Sequence, residues 1–113
     1  MKDEIQKYLH DIRGAVSAII KFVEGSTFET YTGDELIRSG VERKFEIVGE
    51  ALNKLKTMDE ELIEEIREYR SIISFRNILA HGYDTIDDRI VWEIIQEDLQ
   101  NLLDDVNRLI EGK

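Results

Sequence analysis

Apolar residues return at three- and four-residue steps along nearly the whole chain, and no proline interrupts them. That spacing places them on one face of an α-helix, whereas a half-buried strand would alternate residue by residue. Residues 3–24 carry such a stripe in Ile5, Tyr8, Leu9, Ile12, Val16, Ile19, Ile20 and Val23, and Gly25-Ser26-Thr27 ends it. Phe28 to Gly33 reads as a short connection. Asp34 is placed to cap a second helix over roughly 34–56, with Ile37, Val41, Phe45, Val48, Leu52 and Leu55 inward. Gly40 and Gly49 lie inside it and each costs about 1 kcal/mol relative to Ala, so close packing against a neighbour is the expected compensation.

Thr57-Met58-Asp59-Glu60 has the form of a capping box, Thr followed by an acid three residues on. A helix starting there turns Leu62, Ile63 and Ile66 inward. Arg70-Ser71 offers a break before the next helix, with Ser71 as its cap. That helix holds Ile72, Ile73, Phe75, Ile78, Leu79 and Ala80 and is apolar on most of its circumference, which predicts a central position. Gly82 suits the left-handed residue that ends it. Asp87 can cap a last helix, roughly 88–111, with a broad apolar face and Trp92 near its first turn. The expectation is one all-α domain over residues 1–113, an antiparallel bundle of four to five helices.

The 113 residues are enough to bury a real core. No apolar run reaches the roughly 18 residues that span a bilayer. The acid-bearing start Met1-Lys2-Asp3-Glu4 lacks the uninterrupted apolar run of a signal peptide, so a cytoplasmic protein is expected. Without cysteine, and with two histidines, thiolate and zinc sites are excluded or improbable, and no metal or other cofactor is expected. The formal charge of −10 argues against a broad nucleic-acid-binding surface. Its excess is uneven: residues 1–25 balance four acids against four bases, whereas residues 59–70 carry six acids to two bases and residues 84–113 nine to three. Contact with RNA would have to be local, through Arg67, Arg70, Arg76 and further Arg43, Lys44 and Arg89.

Chemistry concentrates in one stretch, Arg76-Asn77-Ile78-Leu79-Ala80-His81-Gly82-Tyr83. An arginine can hold a phosphate, and a histidine at a helix C-terminus can move a proton near neutral pH. Asn77 and His81 are about 40° apart around a regular helix and share a face, whereas Arg76 and His81 are about 140° apart. A frayed end at Gly82, or a second copy of the helix across a two-fold axis, would bring them together. The other histidine, His10, lies off the apolar stripe beside Asp11 and Arg13 and reads as a surface residue. Taken alone, these residues support an anion site. They equally allow an arginine paired with Glu50 or another acid, a histidine that merely ends a helix, and a tyrosine packed over that end.

The spacing Arg-x4-His-x-Tyr resembles the signature of HEPN-domain proteins, specifically the HepT-like toxins. Val41 to Ala51 resembles the second-helix pattern of that family, and Ile86 to Trp92 is similar to its segment after the motif. One departure is Glu68-Tyr69, where such chains often carry Pro-Trp. The resemblance implies a HEPN-like bundle, a homodimer with the motifs facing a shared cleft, and metal-independent RNA cleavage that leaves a 2′,3′-cyclic phosphate. Arg76, His81 and Asn77 would be its catalytic residues, with Glu50 in support. It further implies an antitoxin partner, a minimal nucleotidyltransferase that places AMP on Tyr83. A non-catalytic helical module that binds this partner, and a helical oligomer without chemistry, remain open alternatives.

Overall fold

The structure, a computed structural model, describes residues 2–80 and 86–112. The helices are α1 (Asp3–Phe22), α2 (Phe28–Gly33), α3 (Glu35–Met58), α4 (Glu60–Ile63), α5 (Tyr69–Ala80), α6 (Asp88–Glu93) and α7 (Leu99–Ile110), with a π-helical segment, Ile94–Asp98, joining α6 to α7. No strand occurs among the described residues, and the architecture is an all-α helical bundle. None of the described helices is long and apolar enough to cross a membrane.

Most of the anticipated stripe residues form the core, although Ile20 of the first stripe is exposed. Leu9, Ile12, Val16 and Ile19 of α1 meet Val41, Phe45, Val48 and Leu52 of α3, all fully buried. Helix α3 is the hub, with α1 on one flank and α5 on the other, and α7 packs on α1. Local chemistry fixes the boundaries. Gly25 adopts φ 78°, the left-handed geometry that stops α1 and favours glycine. Asp34 caps α3 by accepting the amide of Ile37 at 3.0 Å, and Asp87 caps α6 by accepting that of Arg89 at 2.9 Å.

Three boundaries differ from the sequence expectation. Phe28–Gly33 is a helix rather than a connection. Thr27 and Thr30 cap it reciprocally, the Thr27 amide donating to Thr30 Oγ1 at 2.8 Å and the Thr30 amide to Thr27 Oγ1 at 3.2 Å. Its Tyr31 is fully buried against Trp92, with ring centroids 5.4 Å apart. Thr57 does not open a helix. It lies inside α3 and turns its hydroxyl back to the Asn53 carbonyl at 3.1 Å, while Asp59 caps α4 through the Leu62 amide at 3.0 Å. Ser71 is no cap either, because the break falls at residues 64–68 and α5 begins at Tyr69. The expected last helix over 88–111 is present over 88–110, with a π-turn inside it. That wider turn keeps Val91, Ile94, Ile95, Leu99 and Leu102 all facing the core.

The break before α5 is held by Asp105 of α7, a carboxylate only 1% exposed. It accepts three hydrogen bonds from Arg67, from the amide at 3.0 Å, from Nε at 3.1 Å and from a terminal nitrogen at 3.0 Å, and a fourth from Arg108 at 3.1 Å. Burial alone would raise its pKa, but these donors outweigh burial and hold it below the usual aspartate range. A depressed carboxylate pKa contributes stability that is present above the unfolded value and lost as pH falls through the folded one. Asp105→Ala is therefore expected to cost about 2–3 kcal/mol in urea denaturation at pH 7, and the gap to wild type should close as the pH drops below about 4. A pH-independent gap would show that packing, not charge, carries the effect.

Candidate functional site

The motif begins on α5 where that helix crosses α3. Gly49 sits at the crossing, and a Cβ built there would lie 2.2 Å from Cβ of Arg76 and 2.5 Å from its Cγ. Only the missing side chain lets α5 approach so closely, which accounts for a glycine in the middle of a 24-residue helix. The T-shaped contact of Phe45 with Phe75, centroids 5.2 Å apart, seats the same two helices one turn away. The second helical glycine, Gly40, faces the ring of Phe22, at 3.2 Å from a built Cβ, rather than another backbone.

Arg76 is thereby half-buried at its root. Its Nε is buried without a hydrogen-bond partner among the described residues. One terminal nitrogen lies 3.4 Å from Asn77 Oδ1, a long contact. No carboxylate pairs with Arg76 among the described residues: Glu50, the acid considered from sequence, is exposed and forms no ion pair with it. A guanidinium with a buried, unsatisfied N–H is a donor waiting for an oxygen acceptor. Asn77 is exposed beside it. His81, Gly82 and Tyr83 lie outside the described residues. Helix α5 is less enclosed than its composition suggests, with Ile72, Phe75 and Leu79 buried and Ile78 44% exposed. It lies on α3 as a flank rather than at the centre.

The other bases nominated for RNA contact are mostly engaged. Arg67 is held by Asp105, Arg70 pairs with Glu64 at 2.9 Å, and Arg43 pairs with Glu46 at 3.3 Å. Lys44 and Arg89 have no ion pair among the described residues. No group of three or more His, Cys, Asp or Glu side chains gathers among the described residues to hold a metal.

Sequence inspection missed Glu42. It lies seven residues before Gly49, two helical turns back on the same side of α3. It is half-buried, with no hydrogen bond or ion pair among the described residues. Burial raises its pKa, and the neighbouring Asp88 raises it further. The buried hydroxyl of Tyr31, also without a partner, is pushed up by burial and by the same two acids. The available signal was an acid on the inward edge of the α3 stripe.

Comparison with known proteins gives the family. A model of the Ribonuclease HepT-like family matches residues 12–109. A probable ribonuclease HepT of Thermococcus cleftensis is 32% identical over 102 residues, covering 90% of this chain and 92% of that one. A candidate RNase of Methanocaldococcus jannaschii is 28% identical over 105 residues, 93% and 95% of the two chains. Another from Caldanaerobacter subterraneus is 28% identical over 104 residues, 92% of each. No solved structure matches.

Two substitutions test this geometry. Gly49→Ala should destabilise the fold by about 1–3 kcal/mol despite the better helix propensity of alanine, read as a lower urea midpoint. An unchanged midpoint would mean that α5 shifts freely on α3. Glu42→Gln should raise Tm at pH 7 and not at pH 4. A raised carboxyl pKa favours the folded state at low pH and disfavours it once pH passes the ordinary glutamate value. An equal gain at both pH values would exclude the charge as its cause. With residues 12–109 matched, the chain belongs to the Ribonuclease HepT-like family.

Proposed function

We propose that the chain is a metal-independent endoribonuclease, the toxin half of a toxin–antitoxin pair, in which Arg76, Asn77 and His81 act on RNA and Tyr83 is the point of control. The observation that carries this is Arg76, with its root fixed on Gly49 and its Nε buried without a hydrogen-bond partner among the described residues. The ribonuclease names of the relatives supply the substrate class. RNA provides its own nucleophile. His81 takes the proton of the 2′-hydroxyl, O2′ bonds to phosphorus, and the bond from phosphorus to O5′ breaks. A proton returns to O5′, leaving a 2′,3′-cyclic phosphate and a free 5′-hydroxyl. Arg76 holds the non-bridging oxygens as negative charge grows on them, and Asn77 orients His81 or donates to the phosphate.

On a regular helix Arg76 and His81 point about 140° apart, so a two-fold copy supplies the complement and the active unit is a homodimer. The partner is a nucleotidyltransferase antitoxin. The Tyr83 phenolic oxygen attacks the α-phosphorus of ATP, pyrophosphate leaves, and the added AMP sets negative charge and bulk against Arg76 and His81. The site of action is the cytoplasm.

A second reading, a non-catalytic module that binds and is modified by the nucleotidyltransferase, is favoured by the −10 charge and by the capture of Arg43, Arg67 and Arg70 by carboxylates. Incubating the partner-free protein with total RNA and tRNA in the presence of chelator separates the two. Cleavage with 2′,3′-cyclic phosphate ends is expected, slowed about 10²–10⁴-fold in His81→Ala and in Arg76→Ala. A folded, unmodified wild type that leaves RNA intact would establish the module instead.

A further inference from the structure

Two hollows lie side by side in the outer groove between α1 and α3, about 400 and 260 Å³ in volume, sharing Asp11 and Ile47 as lining. His10, Gly14 and Lys44 line the larger, and Lys7 and Glu50 line the smaller. Gly14 leaves the floor of the larger hollow open, since a Cβ there would meet nothing within 4 Å. A terminal nitrogen of Arg13, next to Gly14 in the chain, donates to Nδ1 of the lining residue His10 at 2.9 Å. Guanidinium is always a donor, so Nδ1 accepts and the neutral ring carries its proton on Nε2. Of the two acids in the lining, Asp11 is held by Lys7 at 2.7 Å, and Glu50, at the far end of the smaller hollow, has no ion pair among the described residues. Arg13 and Lys44 have no carboxylate partner among the described residues.

Charge singles out the same groove. Helix α1 carries three acids and three bases and α3 four acids and five bases, on a chain whose net charge is −10. Outside α1, α3 and the adjoining Lys2, the described bases without a carboxylate partner are Arg76 and Arg89. Glu50, at the end of the smaller hollow, is next in the chain to Gly49, on which Arg76 packs. On a regular helix Lys44 and Ile47 lie about 140–160° around α3 from Gly49, so the groove and Arg76 sit on opposite flanks of α3.

Resting on the ribonuclease reading above, we propose that the α1/α3 groove is an RNA-backbone subsite in which Arg13, His10 and Lys44 hold a phosphate of the bound strand, away from the linkage at Arg76. Arg13 and Lys44 supply charge, and His10 adds its Nε2 donor. This gives an acidic protein a local track for a polyanion.

The test uses the full-length chain carrying His81→Ala, so that RNA is bound without being cut, and a 5′-fluorescein single-stranded RNA of about 20 nucleotides read by anisotropy. Arg13→Ala and Lys44→Ala should each weaken binding about three- to tenfold and lower the slope of log K against log salt by roughly 0.7. Lys56→Ala, which removes one charge elsewhere on α3, serves as control. Binding within twofold of the parent in both variants, an equal loss in the control, or no binding by the folded parent would overturn the subsite. Competition by polyglutamate as effective as by unlabelled RNA would assign the groove to acidic protein and overturn it too. Cleavage by protein with His81 intact is measured in parallel. RNA binding that depends on Arg13 and Lys44, without any cleavage, keeps the subsite and removes the ribonuclease reading. Cleavage with KM unchanged in Arg13→Ala and Lys44→Ala does the reverse.

Discussion

The contact between Gly49 and Arg76 governs the rest of the structure. Two helices with ordinary side chains pack with axes 8–10 Å apart. Here the root of an arginine occupies the space that a Cβ on α3 would need. This closeness does two things at once. It completes the core between α3 and α5, with Phe45 against Phe75. It also strips water from the Arg76 Nε, which has no hydrogen-bond partner among the described residues. A buried donor left unsatisfied costs roughly 1–3 kcal/mol. Helix packing and the chemical character of Arg76 are thus one interaction.

Holding α5 against α3 requires its start to be fixed. The break at residues 64–68 would be a free hinge if it relied on its own hydrogen bonds. Asp105 removes that freedom by accepting both the backbone and the side chain of Arg67, and Arg108 reaches on from Asp105 to the Glu65 carbonyl at 3.3 Å. The π-turn at Ile94–Asp98 lets the last helix bury Val91 above it and Leu102 and Val106 below it, the stretch from which Asp105 projects. The motif arginine therefore depends on a carboxylate that lies 29 residues further along the chain and on a different helix.

Helix stripes were legible in the sequence because burial follows a 3.6-residue period whatever the neighbours are. The caps at Asp34 and Asp87 were legible because a short acceptor before an apolar run has few other uses. What failed was choosing among adjacent polar residues. Thr57 and Asp59 both fit a helix start, and the carboxylate won because Thr57 was still within α3 and could bond back to Asn53. Phe28–Gly33 was too short for a period to show, and its helix rests on a threonine pair and on Tyr31 packing against Trp92, a residue 61 positions away. At the site, Gly49 was recognised as a point of close approach, but not that Arg76 would fill it. Glu42 went unnoticed because its burial depends on α2 and α6 rather than on its own helix.

The distribution of charge connects the fold to its partners. Ion pairs neutralise Arg67, Arg70 and Arg108 on the α4, α5 and α7 side, where carboxylates outnumber bases and the field repels nucleic acid. On α1 and α3 acids and bases nearly balance, and several bases remain unpaired among the described residues. A polyanion approaching this molecule meets an excess of acid on one side and a near balance of charge on α1 and α3. The same asymmetry leaves the acidic side open to a basic protein surface. An acidic member of a ribonuclease family is then no contradiction: repulsion from α4 and α7 lowers nonspecific affinity for a polyanion, while Arg76 and several bases of α1 and α3 stay without a carboxylate partner among the described residues.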